Sequence, residues 1–254
     1  MRLNRRVAVI TGGTSGIGRA MALLFAQEGA RVAVTGRNEE RGRKVVSEIE
    51  QAGGSAIFVK SDVRFAEECR RAVEETVNAF ESIDILCNNA GVYYRNSVVD
   101  CTEEEWDLQV DIMLKGTFLM SKYTLPLMIE KGSGVIINIS SACGLVGEDK
   151  GAAYCAAKGG VITLTKTMAK DHGHQGVRVN CICPGDTETP MLFEDAKLRG
   201  VTWESYLKDS SSRPLGRIGQ PEDVAKTALF LASDDSSFMS GAVIKLDGGG
   251  KKTY

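Results

Sequence analysis

The chain has 254 residues, 43% of them hydrophobic and 25% charged, with a formal net charge of −2. Those values are ordinary for a soluble globular protein, and near-neutrality gives no electrostatic reason for nucleic acid or an anionic membrane as a partner. No linker, low-complexity tract, charge run or repeat divides the sequence, so a single domain over 1–254 is expected. The start MRLNRR is basic, but VAVITGG is too short and glycine-broken for a signal-peptide core. The most apolar long segment, Ile112 to Ile129, is interrupted by Lys115 and Lys122 and makes no membrane span. A cytoplasmic protein is expected. The seven cysteines (69, 87, 101, 143, 155, 181 and 183) are odd in number and form no C-x-x-C pair, which points to free thiols in a reducing compartment. Cys87, Cys181 and Cys183 read as small core residues in strands, whereas Cys143 and Cys155 adjoin the segments that carry chemistry. Both histidines fall in DHGHQG without a supporting ligand cluster, so neither a metal site nor a Ser-His-Asp triad is expected.

In chain order, Val7 to Thr11 is a short apolar run, as in a strand buried on both faces of a parallel sheet. Gly12, Gly16 and Gly18 follow, then Ala20, Leu23, Leu24 and Ala26 at helical spacing, then a second strand from Val32 to Thr35. Glycines at such a turn let the backbone bend tightly and approach a pyrophosphate, which the N–H groups of the helix start favour electrostatically. The spacing G-x-x-x-G-x-G lacks the lysine of a phosphate-loop ATPase. Further on, strands are predicted near 55–60, 83–88, 134–139, 177–183 and 242–246. Helices are predicted near 17–28, 39–52, 66–80, 103–131, 152–173 and 221–232. This alternation implies right-handed crossovers and an α/β fold with a doubly wound parallel seven-stranded sheet. Gly12, Asp62, Asn89, Ser141 and Pro184 all follow strands, so they converge on the crevice beyond the strands' carboxyl ends.

The strongest chemical signal is Tyr154 and Lys158 in YCAAK, with Ser141 thirteen residues upstream of the tyrosine. Residues i and i+4 share one helix face, about 5–6 Å apart at Cβ. An ammonium that close stabilises a phenolate, so the Tyr154 pKa is expected to fall toward that of a working acid/base. The Ser141 hydroxyl would then hold the substrate oxygen and stabilise charge developing on it. Ser140, one residue earlier in the strand, is expected to face the other way.

Together TGGTSGIG at 11–18, NNAG at 88–91, INISS at 137–141, YCAAK at 154–158 and PGDTET at 184–189 resemble the short-chain dehydrogenase/reductase family, from about Arg5 to Gly249. The resemblance implies a Rossmann fold with strand order 3-2-1-4-5-6-7 and an NAD(P)-dependent oxidoreductase that interconverts a secondary alcohol and a ketone. It implies Ser141, Tyr154 and Lys158 as the catalytic set, with Lys158 also binding the nicotinamide ribose. The cofactor-binding set it implies is Gly12, Thr14, Ser15, Gly16, Ile17, Gly18, Arg37, Asp62, Val63, Asn89, Ala90, Gly91, Tyr154, Lys158, Pro184, Gly185, Thr187 and Thr189. Within it Asp62 corresponds to a residue that bonds the adenine amino group, Asn89 to one that braces strand four, and Thr187 and Thr189 to residues near the carboxamide.

Two positions depart from the family. Its usual Asn-Leu-x-Gly reads Met113-Leu114-Lys115-Gly116 here, and the asparagine normally holds a water that links the lysine to solvent. A thioether is a weak acceptor, and Asp111 points about 200° away on a regular helix. At the end of strand two, the usual acid is Gly36, followed by Arg37. Loss of the acid and gain of an arginine favour NADP(H), with NAD(H) as the alternative; Ser15, where many NADP-using relatives carry Arg or Lys, tempers the preference. The substrate loop is expected at 186–217, where Met191, Leu192, Phe193, Trp203 and Tyr206 suggest an apolar or alicyclic alcohol or ketone, with Tyr93, Tyr94 and Arg95 as further contacts. A 3-oxoacyl thioester reductase, or a catalytically weak cofactor-binding regulatory protein, stands as the alternative. Helices near 103–131 and 152–173 are apolar beyond one stripe, and the resemblance implies that such helices pair in a dimer, usually within a homotetramer. A homotetramer is expected, with a dimer as the alternative and LDGGGKKTY packing across a second dyad.

Overall fold

The structure is a computed structural model and describes residues 1–250. Strand β1 (Val7–Thr11) leads through a glycine turn into helix α1 (Gly16–Gln27). Then come β2 (Arg31–Gly36), α2 (Glu39–Gln51), β3 (Ser55–Lys60), α3 (Ala66–Phe80) and β4 (Ile85–Asn88). The middle of the chain forms α4 (Glu103–Val110), a π-helical turn (Asp111–Lys115), α5 (Gly116–Lys131), β5 (Gly134–Ile139), the one-turn α6 (Cys143–Val146) and α7 (Ala152–His172). Last are β6 (Val177–Pro184), α8 (Pro190–Leu198), α9 (Trp203–Ser210), α10 (Pro221–Ala232) and β7 (Val243–Leu246). The seven strands are parallel in the order β3-β2-β1-β4-β5-β6-β7, the doubly wound topology expected.

The sheet separates two cores because alternate residues of a strand point to opposite faces. Ala8, Ile10, Val32 and Val34 meet Phe25 of α1, Val45 of α2 and Leu229 of α10. Val9, Ala33, Leu86 and Ile136 face the other way, onto Val73 of α3, Met120 of α5 and Met168 of α7. Strands covered on both sides carry no polar alternation, and β1 is buried along its whole length. Cys87, Cys181 and Cys183 are core residues, and all seven cysteines are free. Among the described residues no helix is long and apolar enough to cross a membrane. No cluster there could hold a metal, and His172 instead bonds Gln175 at 2.8 Å beside a surface turn.

Three expectations about local structure need correction. Strand four begins at Ile85 rather than 83, because the Asp84 carboxylate accepts the Val7 N–H at 2.7 Å and is ion-paired with Lys131. The long helix expected over 103–131 is broken by the π-helical turn at Asp111–Lys115. There Gly116 passes so close to the loop after β3 that a Cβ would lie 2.7 Å from Val63 Cγ2, and Thr117 Oγ1 donates to the Met113 carbonyl at 2.7 Å. A π-turn of this kind commonly marks a functional site. The expected loop at 186–217 contains two helices, α8 and α9, each started by a threonine. Thr189 accepts the Leu192 N–H at 3.4 Å and Thr202 accepts the Ser205 N–H at 3.2 Å.

Candidate active site

A crevice of about 720 Å³ runs across the carboxyl ends of the strands. Its first wall is the β1–α1 turn. Gly12 and Gly16 adopt φ of +63° and +51°, conformations that glycine reaches without strain. Ser15 starts α1 without a side-chain cap bond, and no acidic residue occupies the first turn, so the first N–H groups face the crevice with their partial positive charge uncompensated. Asn89 braces the turn from β4: its Nδ2 donates to the Thr11 and Gly12 carbonyls at 2.9 and 3.2 Å. Gly18 does not line the crevice, contrary to expectation. It packs behind the wall, where a Cβ would lie 2.3 Å from the Gly12 carbonyl oxygen and 2.5 Å from Asn89 Nδ2.

All the other cofactor-set residues expected from the sequence line the crevice. At the end formed by β2 and β3, Gly36 faces Thr14, whose Cγ2 would lie 2.9 Å from a Cβ at that position. Arg37 lines this end together with Arg41, which sequence reasoning missed although it lies one helical turn on from Arg37. The buried hydroxyls Thr35 Oγ1 and Ser61 Oγ have no hydrogen-bond partner here. Asp62 is held by Arg64, with Nη2 2.7 Å from Oδ2. Burial pushes the Asp62 carboxyl up, but the Arg64 hydrogen bonds and the charges of Arg64 and Arg37 outweigh it and hold the group below its usual range.

In the middle of the crevice Ser141, at the end of β5, meets Tyr154 and Lys158 from α7. The Tyr154 ring packs edge-on against Tyr93 at 4.8 Å between centroids. Lys158 is 5% exposed, donates from Nζ to the Ile139 carbonyl at 2.7 Å, and lies 5.8 Å from the Tyr154 ring centre. Ser140 also borders the crevice, and its hydroxyl donates to the Lys158 carbonyl at 2.8 Å. That bond ties the strand to the helix one residue before Ser141.

The expected fall in the Tyr154 pKa is not found in the protein alone. Burial drives the phenol above its ordinary value, and the facing Ser141 hydroxyl only moderates the rise. Lys158 is itself lowered from 10.5 to about 8 by burial, so the site holds its cation at a desolvation cost. Met113, 1% exposed, fills the space beside Gly91 where the family has asparagine, at 3.8 Å from the Cβ that Gly91 lacks.

At the substrate end, Met191, Leu192, Tyr206 and Tyr93 line the crevice as expected. Phe193 and Trp203 do not; they stack on each other at 3.9 Å. Tyr94 and Arg95 are also outside the lining. Glu148, Asp195 and Arg213, charged residues that no sequence motif marks, also line it. Arg213, 7% exposed, donates to the Ser210 and Asp247 carbonyls at 2.6 and 2.9 Å and so pins α9 to the end of β7.

A glycine turn, a Ser-Tyr-Lys group and a doubly wound sheet define a nicotinamide-dependent oxidoreductase of the Rossmann type. The known proteins agree. A family model described as enoyl-(acyl carrier protein) reductase matches residues 12–251. The 3-oxoacyl-(acyl-carrier-protein) reductase FabG of Thermotoga maritima is 42% identical over 98% of this chain and 99% of its own. Cyclohexanol dehydrogenase of an Acinetobacter species (strain SE19) is 38% identical over 97% of this chain and 95% of its own. The crystal structure of levodione reductase superposes with a TM-score of 0.95 at 32% identity, covering 100% of both chains. The chain belongs to the short-chain dehydrogenase/reductase family, whose members are oxidoreductases of alcohol and ketone groups.

The buried lysine has a measurable consequence. Folded, Lys158 loses its proton near pH 8; unfolded, near 10.5. Between those values the unfolded chain binds more protons, so this group makes stability rise with pH. In the absence of cofactor, denaturant midpoints of the wild type should therefore gain on those of Lys158→Met as pH rises from about 8 to 10.5. Parallel curves for the two proteins over that window would show that the lysine is not desolvated.

Proposed function

We propose that the protein is one domain over 1–254 that interconverts a secondary alcohol and a ketone, with Tyr154 as general acid/base. The observation that carries this reading is the convergence of Ser141, Tyr154 and Lys158 in the crevice that also holds the glycine turn. A dinucleotide suits that crevice. The open start of α1 offers N–H groups to a pyrophosphate, Gly12 and Gly16 allow its close approach, and Thr35 and Ser61 offer unpartnered hydroxyls. Thr14, Ser15, Ile17, Val63, Asn89, Ala90, Gly91, Pro184, Gly185, Thr187 and Thr189 complete the cofactor wall, with Asp62 toward the adenine end. Gly18 serves that wall by packing. When bound, the nicotinamide accepts or supplies the hydride.

The protein's own part is proton transfer and charge control. Tyr154 passes the proton to or from the substrate oxygen, and Ser141 donates a hydrogen bond to that oxygen as charge develops. Lys158 supplies positive charge beneath it and a donor toward the ribose. Met113 removes the side-chain anchor for water on the helix side. We read the cofactor as NADP(H) before NAD(H), because Arg37 and Arg41 flank a strand end that carries glycine in place of an acid. Apolar Met191 and Leu192, with the likeness to cyclohexanol dehydrogenase and levodione reductase, support a cyclic alcohol or ketone over a 3-oxoacyl thioester.

Assembly as a homotetramer is part of the reading. Trp106 of α4 and Phe118 of α5 are 42% and 47% exposed, and Val98 and Val99 more so, which leaves an apolar face for a second copy. The C-terminal stretch assigned to a second dyad ends at 251–254, outside the described residues.

Tyr154→Phe should keep cofactor affinity and lower turnover at least about 100-fold, the scale of a lost general acid/base, on a panel of alcohols and ketones followed at the nicotinamide absorbance band. Near-normal turnover would refute the mechanism. Arg37→Ala should weaken NADP(H) by roughly 1.5–3 kcal/mol in calorimetry and leave NAD(H) nearly unchanged. A wild-type preference for NAD(H) would overturn the cofactor assignment. Light scattering at micromolar concentration should give four times the 27.3 kDa chain mass; a monomer would refute the assembly.

A further inference from the structure

The substrate end holds a buried carboxylate oxygen that the mechanism above leaves idle. Asp195, on α8, lines the crevice and is 5% exposed. Its Oδ2 accepts two bonds, from the Tyr206 hydroxyl at 2.6 Å and from Arg199 Nε at 2.8 Å. Its Oδ1 is buried with no hydrogen-bond partner. Arg95 Nη1 stands 3.9 Å from it, close enough for an ion pair but too far for a hydrogen bond. A carboxylate oxygen can only accept, and leaving one buried without a donor costs free energy that a bound donor would return.

The charges around it decide what kind of donor fits. Glu148, also lining the crevice, binds Arg199 at 2.7 Å and faces Arg95 at 3.7 Å. Arg95 reaches out to Asp149 at 3.0 Å, a rim carboxylate that is 79% exposed. Both guanidinium groups are thus committed to carboxylates, and neither is left free for a carboxylate, phosphate or sulfonate on the substrate. Two guanidinium groups also balance the two inner carboxylates, which removes the reason to draw in an ammonium. The donor that fits is a neutral hydroxyl. Behind the lining, Arg95 also donates from Nη1 to the Tyr93 hydroxyl at 3.2 Å, and the Tyr93 ring abuts Tyr154, so a chain of contacts links the surroundings of Asp195 to the reacting end.

We propose that Asp195 is a substrate-binding residue whose Oδ1 accepts a hydrogen bond from a second hydroxyl of a neutral diol or hydroxyketone, while the reacting oxygen lies at Tyr154 and Ser141. The proposal rests on the oxidoreductase reading and narrows it from plain alicyclic alcohols to those bearing a second hydroxyl.

The test compares matched pairs: cyclohexanol with the cyclohexane-1,2-, 1,3- and 1,4-diols, and 2-butanol with 2,3-butanediol. At least one diol should exceed its mono-alcohol in kcat/KM by about tenfold or more, the scale of a hydrogen bond to a charged acceptor. In Asp195→Asn that diol-to-mono-alcohol ratio should fall about fivefold, since a neutral acceptor bonds more weakly. Mono-alcohols equal to or better than every diol would overturn the proposal, as would an unchanged ratio in Asp195→Asn. Better turnover of 2-aminocyclohexanol than of any diol would overturn the neutral-donor assignment. If Asp195→Asn does not fold, the wild-type comparison decides alone. If no alcohol or ketone turns over, the oxidoreductase reading fails. Calorimetry of diol against mono-alcohol, on the Tyr154→Phe protein saturated with the tighter-binding nicotinamide, still settles the role of Asp195: a diol preference supports it and equal binding refutes it.

Discussion

Gly18 presses against the carbonyl of Gly12 so closely that any side chain there would collide with the backbone, and Asn89 fastens the same carbonyl from the neighbouring strand. This contact fixes the height at which α1 meets β1, and hence which N–H groups open into the crevice. The turn is thus held by contacts within the protein itself, and a cradle held that way lowers the ordering cost of binding. Thr11 joins the same arrangement, its hydroxyl accepting the Asn89 and Ala90 N–H groups at 2.9 and 3.1 Å. The floor of the crevice is therefore one bonded unit made from β1 and β4.

A second polar unit positions the catalytic helix. Asn88 donates to Asn138 at 2.9 Å, and Asn138 donates to Thr165 at 2.8 Å, so buried amides link β4, β5 and α7 across the apolar core. Buried amides are costly when unbonded, so these two bonds favour one register between strand and helix. Ser140 adds a bond from β5 to the Lys158 carbonyl, so Ser141 and Lys158 are held by adjacent links. The rigidity lets the fold keep an ammonium 5% exposed with one backbone acceptor, a placement that desolvation alone disfavours.

At the opposite end, charge pairs tie the elements together. Arg199 and Asp195 of α8 close onto Glu148 from the loop before α7, while Arg213 bonds Asp186 and the end of β7. Phe193 and Trp203, which could have lined an oily pocket, spend their surface on each other. The crevice beyond Tyr154 is therefore lined by charged side chains as well as by Met191 and Leu192.

Local patterns in the sequence were enough for the order of elements, the strand topology and most of the crevice. Apolar runs of strand length, helical spacing and glycines between them are read within about a dozen residues, and each site motif follows a strand end. The Thr189 and Thr202 caps that begin α8 and α9 were equally local signals, visible as threonines ahead of the helices. What only the tertiary structure decided were the properties set by distant neighbours. Gly18 turned from a lining residue into a packing one because of the Gly12 carbonyl beneath it. The long fourth helix acquired a π-turn where Gly116 meets Val63. Tyr154 sits above its ordinary pKa because burial outweighs the hydrogen bond from the facing Ser141 hydroxyl. Asp195 pairs with Arg199 four residues on, a local contact, but Glu148 gained meaning only once folding brought Arg95 and Arg199 to it, and Asp195 only once Arg95 approached from a separate segment. Burial and long-range charge pairing depend on three-dimensional proximity, which sequence periodicity does not encode.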